Sequence, residues 1–253
     1  MTGILRYLHS AVFFFLIFFY SAIIHTVSYV TALFIKNKDD KNRFYQKGAR
    51  LWGSLLFDAL LMKVKVSGLE NIPSDTNVIF TPNHQSYLDI FILLKYLPYP
   101  FRFVIMRDLF KVPLIGYHIS RAGFISLDRK DRKGSIKTIH MIIDLLEKNE
   151  SFVIFPEGKL TKDGSIGEFG RGASIIIQRS RKPVIPISID GTFGVLPKGD
   201  WKLRPAEVRV IVGKPVYFEK HYGDIDKRTS LDLGNELRGL VVDLMNKSRV
   251  EAC

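Results

Sequence analysis

Residues 11–35 form an almost wholly apolar run of about 25 residues, which stops abruptly at Lys36-Asn37-Lys38-Asp39-Asp40-Lys41. As a helix rising ~1.5 Å per residue it would reach ~37 Å, longer than the ~30 Å hydrocarbon core of a bilayer. The run is longer than the apolar stretch of a typical signal peptide, and no small-x-small cleavage site closes it, so membrane attachment is expected. Lys36, Lys38, Lys41 and Arg43 outnumber the single Arg6 on the other flank, which by the positive-inside rule predicts the following domain in the cytoplasm. His25, in the middle of the run, reads as a tolerated residue. From 44 to 62 the apolar residues Phe44, Ala49, Leu51, Trp52, Leu55, Leu56, Ala59 and Leu60 alternate with Lys47, Arg50 and Asp58, an amphipathic helix. Two readings apply to it, a core helix of the following domain and an interfacial helix. Directly after the anchor the interfacial reading is favoured, with Trp52 and Tyr45 at headgroup depth. Residues 1–62 are thus read as a membrane anchor plus interfacial helix, and 63–253 as a second unit.

That second unit alternates β-rich runs with helical stretches. Strands are predicted at 63–66, 78–80, 101–106, 124–126, 151–155, 184–189 and 208–212, and helices at 87–97, 134–148, 172–179 and 229–247. Such alternation predicts an α/β domain with a mixed, mostly parallel sheet flanked by helices.

The polar turn Asn83-His84-Gln85-Ser86-Tyr87-Leu88-Asp89 falls at one of the strand-to-helix junctions, with an imidazole and a carboxylate five residues apart. Ser86 followed by Asp89 three residues later is also a helix-capping pattern, so the pair has a purely structural reading as well. Two further strand ends carry chemistry: Asp128-Arg129, and Pro156-Glu157-Gly158-Lys159-Leu160-Thr161. Strand ends followed by Gly-containing turns are where α/β domains place ligands. Arg129 alone reads equally as a surface ion pair with Asp128 or Asp131, and Glu157 as a turn residue.

A net charge of +12 favours anionic partners, whether lipid surfaces, phosphorylated substrates or nucleic acid. The cations are dispersed apart from Arg129-Lys130-Asp131-Arg132-Lys133, and no nucleic-acid fold signature accompanies them, so nucleic acid is not expected as a partner. The one cysteine, Cys253, rules out a disulfide framework, and no His/Cys/Glu spacing points to a structural metal. His140 with Asp144 reads as a helical i,i+4 pair, while His9, His25, His118 and His221 lack a carboxylate in a comparable turn.

These segments together resemble the bacterial 1-acylglycerol-3-phosphate acyltransferases, a branch of the glycerolipid acyltransferases, in four ordered blocks. The His84-x4-Asp89 turn is similar to the first block and 123–129 to the second, which ends in a phosphate-binding arginine, here Arg129. Phe155-Pro156-Glu157-Gly158 is similar to the opening of the third, and Val184-Ile185-Pro186-Ile187-Ser188 to the fourth. Phe169-Gly170-Arg171-Gly172-Ala173 also matches, since the family places a basic residue before that Gly-Ala. The resemblance implies transfer of a fatty acyl group from acyl-CoA or acyl-carrier protein to the sn-2 hydroxyl of lysophosphatidate, with no cofactor, at the cytoplasmic face of a bacterial inner membrane. His84 would be the general base and Asp89 its orienter, with direct transfer and no acyl-enzyme. Asn83, Ser86, Arg129, Glu157, Gly158 and Lys159 are the expected substrate-binding residues, and amides around Gly158 are candidates for the oxyanion.

One departure bears on the acceptor. Where the family continues Glu-Gly-Thr-Arg, this chain has Glu157-Gly158-Lys159-Leu160, and leucine cannot bind phosphate. Lys159 or Lys162 would supply charge without the two-pronged fork of arginine. Two alternatives therefore accompany the main reading: an acyltransferase for another lysophospholipid or lyso-lipid, and a non-catalytic membrane-tethered lipid-binding protein.

Overall fold

A computed structural model describes residues 3–128, 131–204, 206–221 and 227–250. Two long helices come first, α1 (Gly3–Ala32) and α2 (Lys38–Ala59), the latter capped by Asn37, whose side chain accepts from the amides of Asp39 and Asp40. The remainder folds as β1 (Lys63–Ser67), β2 (Ile79–Pro82), α3 (Leu88–Tyr96), β3 (Arg102–Met106), α4 (Ile115–Arg121), β4 (Ile125–Leu127) and α5 (Arg132–Glu147). It continues through β5 (Phe152–Val153), α6 (Arg171–Ser180), β6 (Val184–Asp190), α7 (Thr192–Val195), β7 (Glu207–Val212) and α8 (Lys227–Val250).

The sheet order is β1-β7-β6-β2-β5-β3-β4. Five neighbouring pairs are parallel and β6–β7 is antiparallel, so the sheet is mixed and mostly parallel, as expected from sequence. Its strands are short and rich in β-branched residues because both faces are covered. Phe80, Val153, Ile185 and Ile187 point to the layer holding α2 and α3, while Ile79, Phe152 and Val184 point to α5, α6 and α8. Parallel running aligns the C-terminal ends of β2, β3, β4, β5 and β6 along one rim of the sheet, and that rim positions the site.

The sequence reading of α2 needs correction. Tyr45 is 2% exposed, and Ala49, Gly53, Leu56 and Phe57 are also buried. Gly53 approaches α3 so closely that a Cβ there would lie 2.6 Å from Leu94 Cδ1. Trp52 packs edge-on against Phe91 and donates its indole N–H to Ser21 Oγ at 3.0 Å. α2 is therefore a core helix. Its polar stripe faces water, and its apolar stripe faces α3 rather than lipid.

α1 is long and apolar enough to cross a membrane. It nevertheless runs along the domain for most of its length. His9 Nε2 lies 3.0 Å from the Ala59 carbonyl oxygen, Phe13 packs on Phe91, and His25 meets Tyr117 edge-on. Ser10, Phe13, Ser21, Ile24, Ser28 and Ala32 form its buried face, and a mostly apolar set from Ile4 through Phe19 to Val30 forms its exposed one.

Candidate active site

β2 ends at Pro82, and residues 83–87 turn the chain into α3 at the rim of the sheet. His84 Nδ1 lies 2.9 Å from Asp89 Oδ2. The same oxygen accepts the backbone N–H groups of Gln85 at 2.8 Å and Ser86 at 2.9 Å. Ser86 Oγ in turn accepts the Leu88 amide at 3.3 Å. The capping pattern and the dyad are therefore one structure: the carboxylate that closes the first helical turn also orients the imidazole. With Nδ1 committed as donor, Nε2 is the ring nitrogen left to act as a base.

Asp89 is wholly buried, and its second oxygen is held as well. Thr192, at the start of α7, donates its hydroxyl to Asp89 Oδ1 at 2.6 Å and is itself fully buried. Gln85 Oε1 accepts the Gly191 amide at 3.1 Å, while Gln85 Nε2 donates to the Gly164 carbonyl at 2.9 Å. Nothing in residue spacing links Thr192 to the dyad, because it lies 103 positions from Asp89. Gln85 was legible only as a polar residue inside the motif.

The turn after β5 wraps the motif from the other side. Glu157 Oε1 accepts the His84 amide at 2.8 Å and Oε2 the Gly167 amide at 2.9 Å, while the Thr161 amide donates to the His84 carbonyl at 3.0 Å. Burial pushes the Glu157 carboxyl above its ordinary range, opposed by the amides of Gly167 and His84. The Phe155 ring stacks on the His84 imidazole, with centroids 3.8 Å apart and planes tilted by 21°.

A cavity of about 870 Å³ opens beside His84 and is lined by residues of both helical layers as well as of β3 and the turn after β5. Ile24, Trp52, Phe91, Phe103 and Ile119 contribute apolar wall, and Lys159 and Lys198 are exposed lining residues. Sites that enclose small organic ligands commonly measure ~300–1,000 Å³. The cavity therefore has room for a long alkyl chain.

Several expected substrate contacts are placed otherwise. Asn83 is 1% exposed and mimics a strand partner, donating to the Ile189 carbonyl at 2.9 Å and accepting its amide at 2.7 Å. Ser86, fully buried, donates to the Leu196 carbonyl at 2.7 Å. Both hold the motif to β6 and the segment after α7; their polar atoms do not reach the cavity. Glu157 lines the cavity, yet both of its oxygens brace backbone. Gly158 has φ +63°, a conformation that favours glycine, and its amide is spent on the Phe155 carbonyl at 2.9 Å, so that amide is no oxyanion donor. Leu160 turns its side chain into the cavity wall, where an arginine would be costly. Arg129 lies outside the described residues. Among those described, no group of three or more His, Cys, Asp or Glu side chains is arranged to hold a metal ion.

A family model for acyltransferases matches residues 63–190, which include the whole dyad and the Glu157 turn. The chain is 36% identical over 182 residues to the chloroplastic 1-acyl-sn-glycerol-3-phosphate acyltransferase BAT2 of Brassica napus, covering 71% of this chain and 52% of that one. It is 34% identical to the Arabidopsis thaliana enzyme LPAT1, over 81% of this chain and 55% of that one, and 32% identical to the Pseudomonas aeruginosa enzyme, over 62% and 61%. The chain thus spans about half the length of the plant relatives. The crystal structure of the lysophosphatidate acyltransferase PlsC from Thermotoga maritima superposes with a TM-score of 0.83 at 26% identity, covering 98% of both chains. A match over the half of the chain that carries the dyad, together with this likeness in fold, shows that the chain belongs to the acyltransferase family.

Proposed function

We propose that this protein acylates the sn-2 hydroxyl of lysophosphatidate to form phosphatidate, taking the acyl group from a CoA or acyl-carrier-protein thioester. The observation that carries the reading is the His84–Asp89 pair at the mouth of an apolar cavity, with Nδ1 fixed by a carboxylate held from both sides. An alcohol is a poor nucleophile at neutral pH. His84 Nε2 takes its proton as the oxygen attacks the thioester carbon, and Asp89 stabilises the imidazolium so formed. Collapse of the tetrahedral intermediate breaks the C–S bond, and the proton on His84 goes to the departing thiolate. No serine nucleophile is needed, consistent with Ser86 being buried and turned to Leu196. The thioester is a co-substrate, and the scheme requires no resident cofactor.

The relatives named for lysophosphatidate support that acceptor. Arg129, the residue directly after β4 and its Asp128, is assigned to the acceptor phosphate by resemblance, with Lys159 at the cavity as its helper. The long acyl chain fills the cavity.

Membrane attachment follows from the exposed apolar face of α1. Because α1 packs against the domain from His9 to His25, crossing both leaflets would drag the domain into hydrocarbon. We place α1 within one leaflet, on the cytoplasmic face where acyl thioesters are found. The test supplies protein in detergent with several lyso-lipid acceptors and both donors. His84→Ala is expected to lose ~10²- to 10⁴-fold in turnover. Retention of more than about a tenth of native activity overturns the base assignment, and equal rates with and without a phosphomonoester headgroup overturn the acceptor.

A further inference from the structure

The segment 196–204 joins two parts of the molecule that are far apart in sequence. At one end the Leu196 carbonyl accepts Ser86 Oγ at 2.7 Å, directly beneath the catalytic turn. At the other, the Leu203 amide donates to Ser10 Oγ at 2.9 Å, and Arg6 Nε donates to the Leu203 carbonyl at 3.4 Å, both in the first turns of α1. The segment closes on itself through the Arg204 amide to the Val195 carbonyl at 2.9 Å. Asp200 pins its tip by accepting the amides of Trp201 at 2.8 Å and Lys202 at 3.0 Å. These bonds brace the loop from both ends and at its tip.

Such a loop has no internal reason to hold a tryptophan out, yet Trp201 is 47% exposed. Its ring meets the half-exposed Tyr7 at 5.5 Å and 54°, and Lys202 Nζ stands 4.6 Å from the centre of the Tyr7 ring. Ile4, Leu5 and Leu8 are exposed on the same end of α1, and Lys198 lies on the rim of the cavity. Apolar side chains, two amphipathic aromatics and lysines thus follow one another across a single surface. Trp and Tyr favour the water–hydrocarbon boundary, where the ring is buried and the polar tip stays wet, and lysines just outside it meet anionic headgroups.

We propose that the 196–204 loop is a second membrane contact, seating Trp201 and Tyr7 at headgroup depth and setting Lys198 and Lys202 on anionic phospholipid. This rests on the reading of α1 as membrane-embedded and goes beyond it. Because the loop is hydrogen-bonded to Ser86, it also sets the depth of the catalytic turn, bringing the cavity rim to the level at which a lysophospholipid presents its head. Of the two tryptophans, the one on the loop and not Trp52 reports the interface.

Trp52→Phe leaves Trp201 as the sole tryptophan. Should that variant not fold, the difference spectrum between the native chain and Trp201→Phe isolates the same residue. Full-length protein is mixed with phosphatidylcholine vesicles, with or without phosphatidylglycerol, and binding is followed by sedimentation. The expected result is a blue shift of Trp201 emission on the anionic vesicles, with stronger quenching by lipid brominated near the headgroup than near the chain end. Lys198→Gln and Lys202→Gln are each expected to weaken binding to the anionic vesicles about fivefold. Unshifted, unquenched Trp201 in protein that sediments with vesicles overturns the loop contact while leaving α1 as the anchor. Equal affinity for both vesicle types overturns the anionic partner, and failure to sediment with either overturns the membrane reading as a whole.

Discussion

Thr192→Val removes one hydroxyl and almost nothing else. The side chains are close to isosteric, Thr192 is fully buried, and its hydroxyl donates at 2.6 Å to Asp89 Oδ1. In the variant a methyl group faces that oxygen, on a carboxylate that has no exposure to water. Hydrogen bonds to charged groups contribute ~1.5–3 kcal/mol, so a loss of about 2 kcal/mol is expected. For a chain of this size that lowers Tm by about 4–8 °C. Asp89 Oδ2 keeps its three donors, namely His84 Nδ1 and the amides of Gln85 and Ser86, so the dyad loosens without dissolving. If most of the lost energy appears as misorientation of the imidazole, turnover falls about tenfold, since ~1.4 kcal/mol is a factor of ten. Thiol release from acyl-CoA with lysophosphatidate measures the rate, and thermal unfolding in detergent measures stability. Thr192→Ser, which keeps the hydroxyl, is expected to restore both. A valine variant within twofold of native turnover and a serine variant no better than valine would refute the claim that Thr192 acts through Asp89.

Four further expectations concern Asp89, His118, Glu157 and Gly123. Asp89→Asn retains shape and loses charge, and by the behaviour of serine-protease triads kcat should fall by about 10⁴; a loss under tenfold would show that Asp89 is only a cap. Burial holds the His118 imidazole below its ordinary range, against a bond from Nε2 to the Tyr45 carbonyl at 2.9 Å, so the unfolded chain takes up a proton that the native one refuses. Stability should rise with pH up to about 6.5 and decline below it; the slope between about pH 5 and 7 should be shallower in His118→Phe, and an unchanged slope would contradict this. Glu157, held above its ordinary range, contributes with the opposite sign, its stabilisation fading as pH rises above about 4.3. Gly123→Ala would place a Cβ 1.7 Å from Arg102 Nη1 at a φ of +71°. It should displace the guanidinium from its pair with Glu150 (3.1 Å) and lower unfolding stability by about 3 kcal/mol or more, which chemical denaturation would read.

The sequence reads most clearly where burial imposes a period. All seven strands fall within a few residues of their expected places, because each is short, apolar and bounded by turn residues. The dyad is legible for a different reason: both members lie in one turn, so sequence distance and spatial distance coincide. The amides of Gln85 and Ser86 hold Asp89 from within the turn, but the remaining support comes from elsewhere, from Thr192 and Leu196 beyond β6 and from Glu157 after β5, and side-chain contacts across that many residues leave no local pattern. α4 is missed because Gly116 and Ser120 are poor helix formers, and a Cβ at Gly116 would lie 2.1 Å from the Phe110 carbonyl oxygen, so packing dictates the glycine. α2 is misjudged because an amphipathic stripe looks the same whether it faces lipid or α3. The burial of Tyr45, Ala49, Leu56 and Phe57 and the close approach of Gly53 to Leu94 distinguish the two.

The stacking of Phe155 on His84 has a consequence for timing. While the imidazole is neutral, the two rings are ordinary neighbours, 3.8 Å between centroids. In the proposed reaction, once Nε2 takes the acceptor's proton, a positive charge lies over the electron-rich face of the phenyl ring, an attraction worth ~0.5–2 kcal/mol. That attraction is absent with substrate merely bound, appears as the hydroxyl loses its proton, and vanishes when the thiol leaves. A side chain with no ionisable group and no hydrogen bond to give thereby favours the charged stage of the reaction over those on either side.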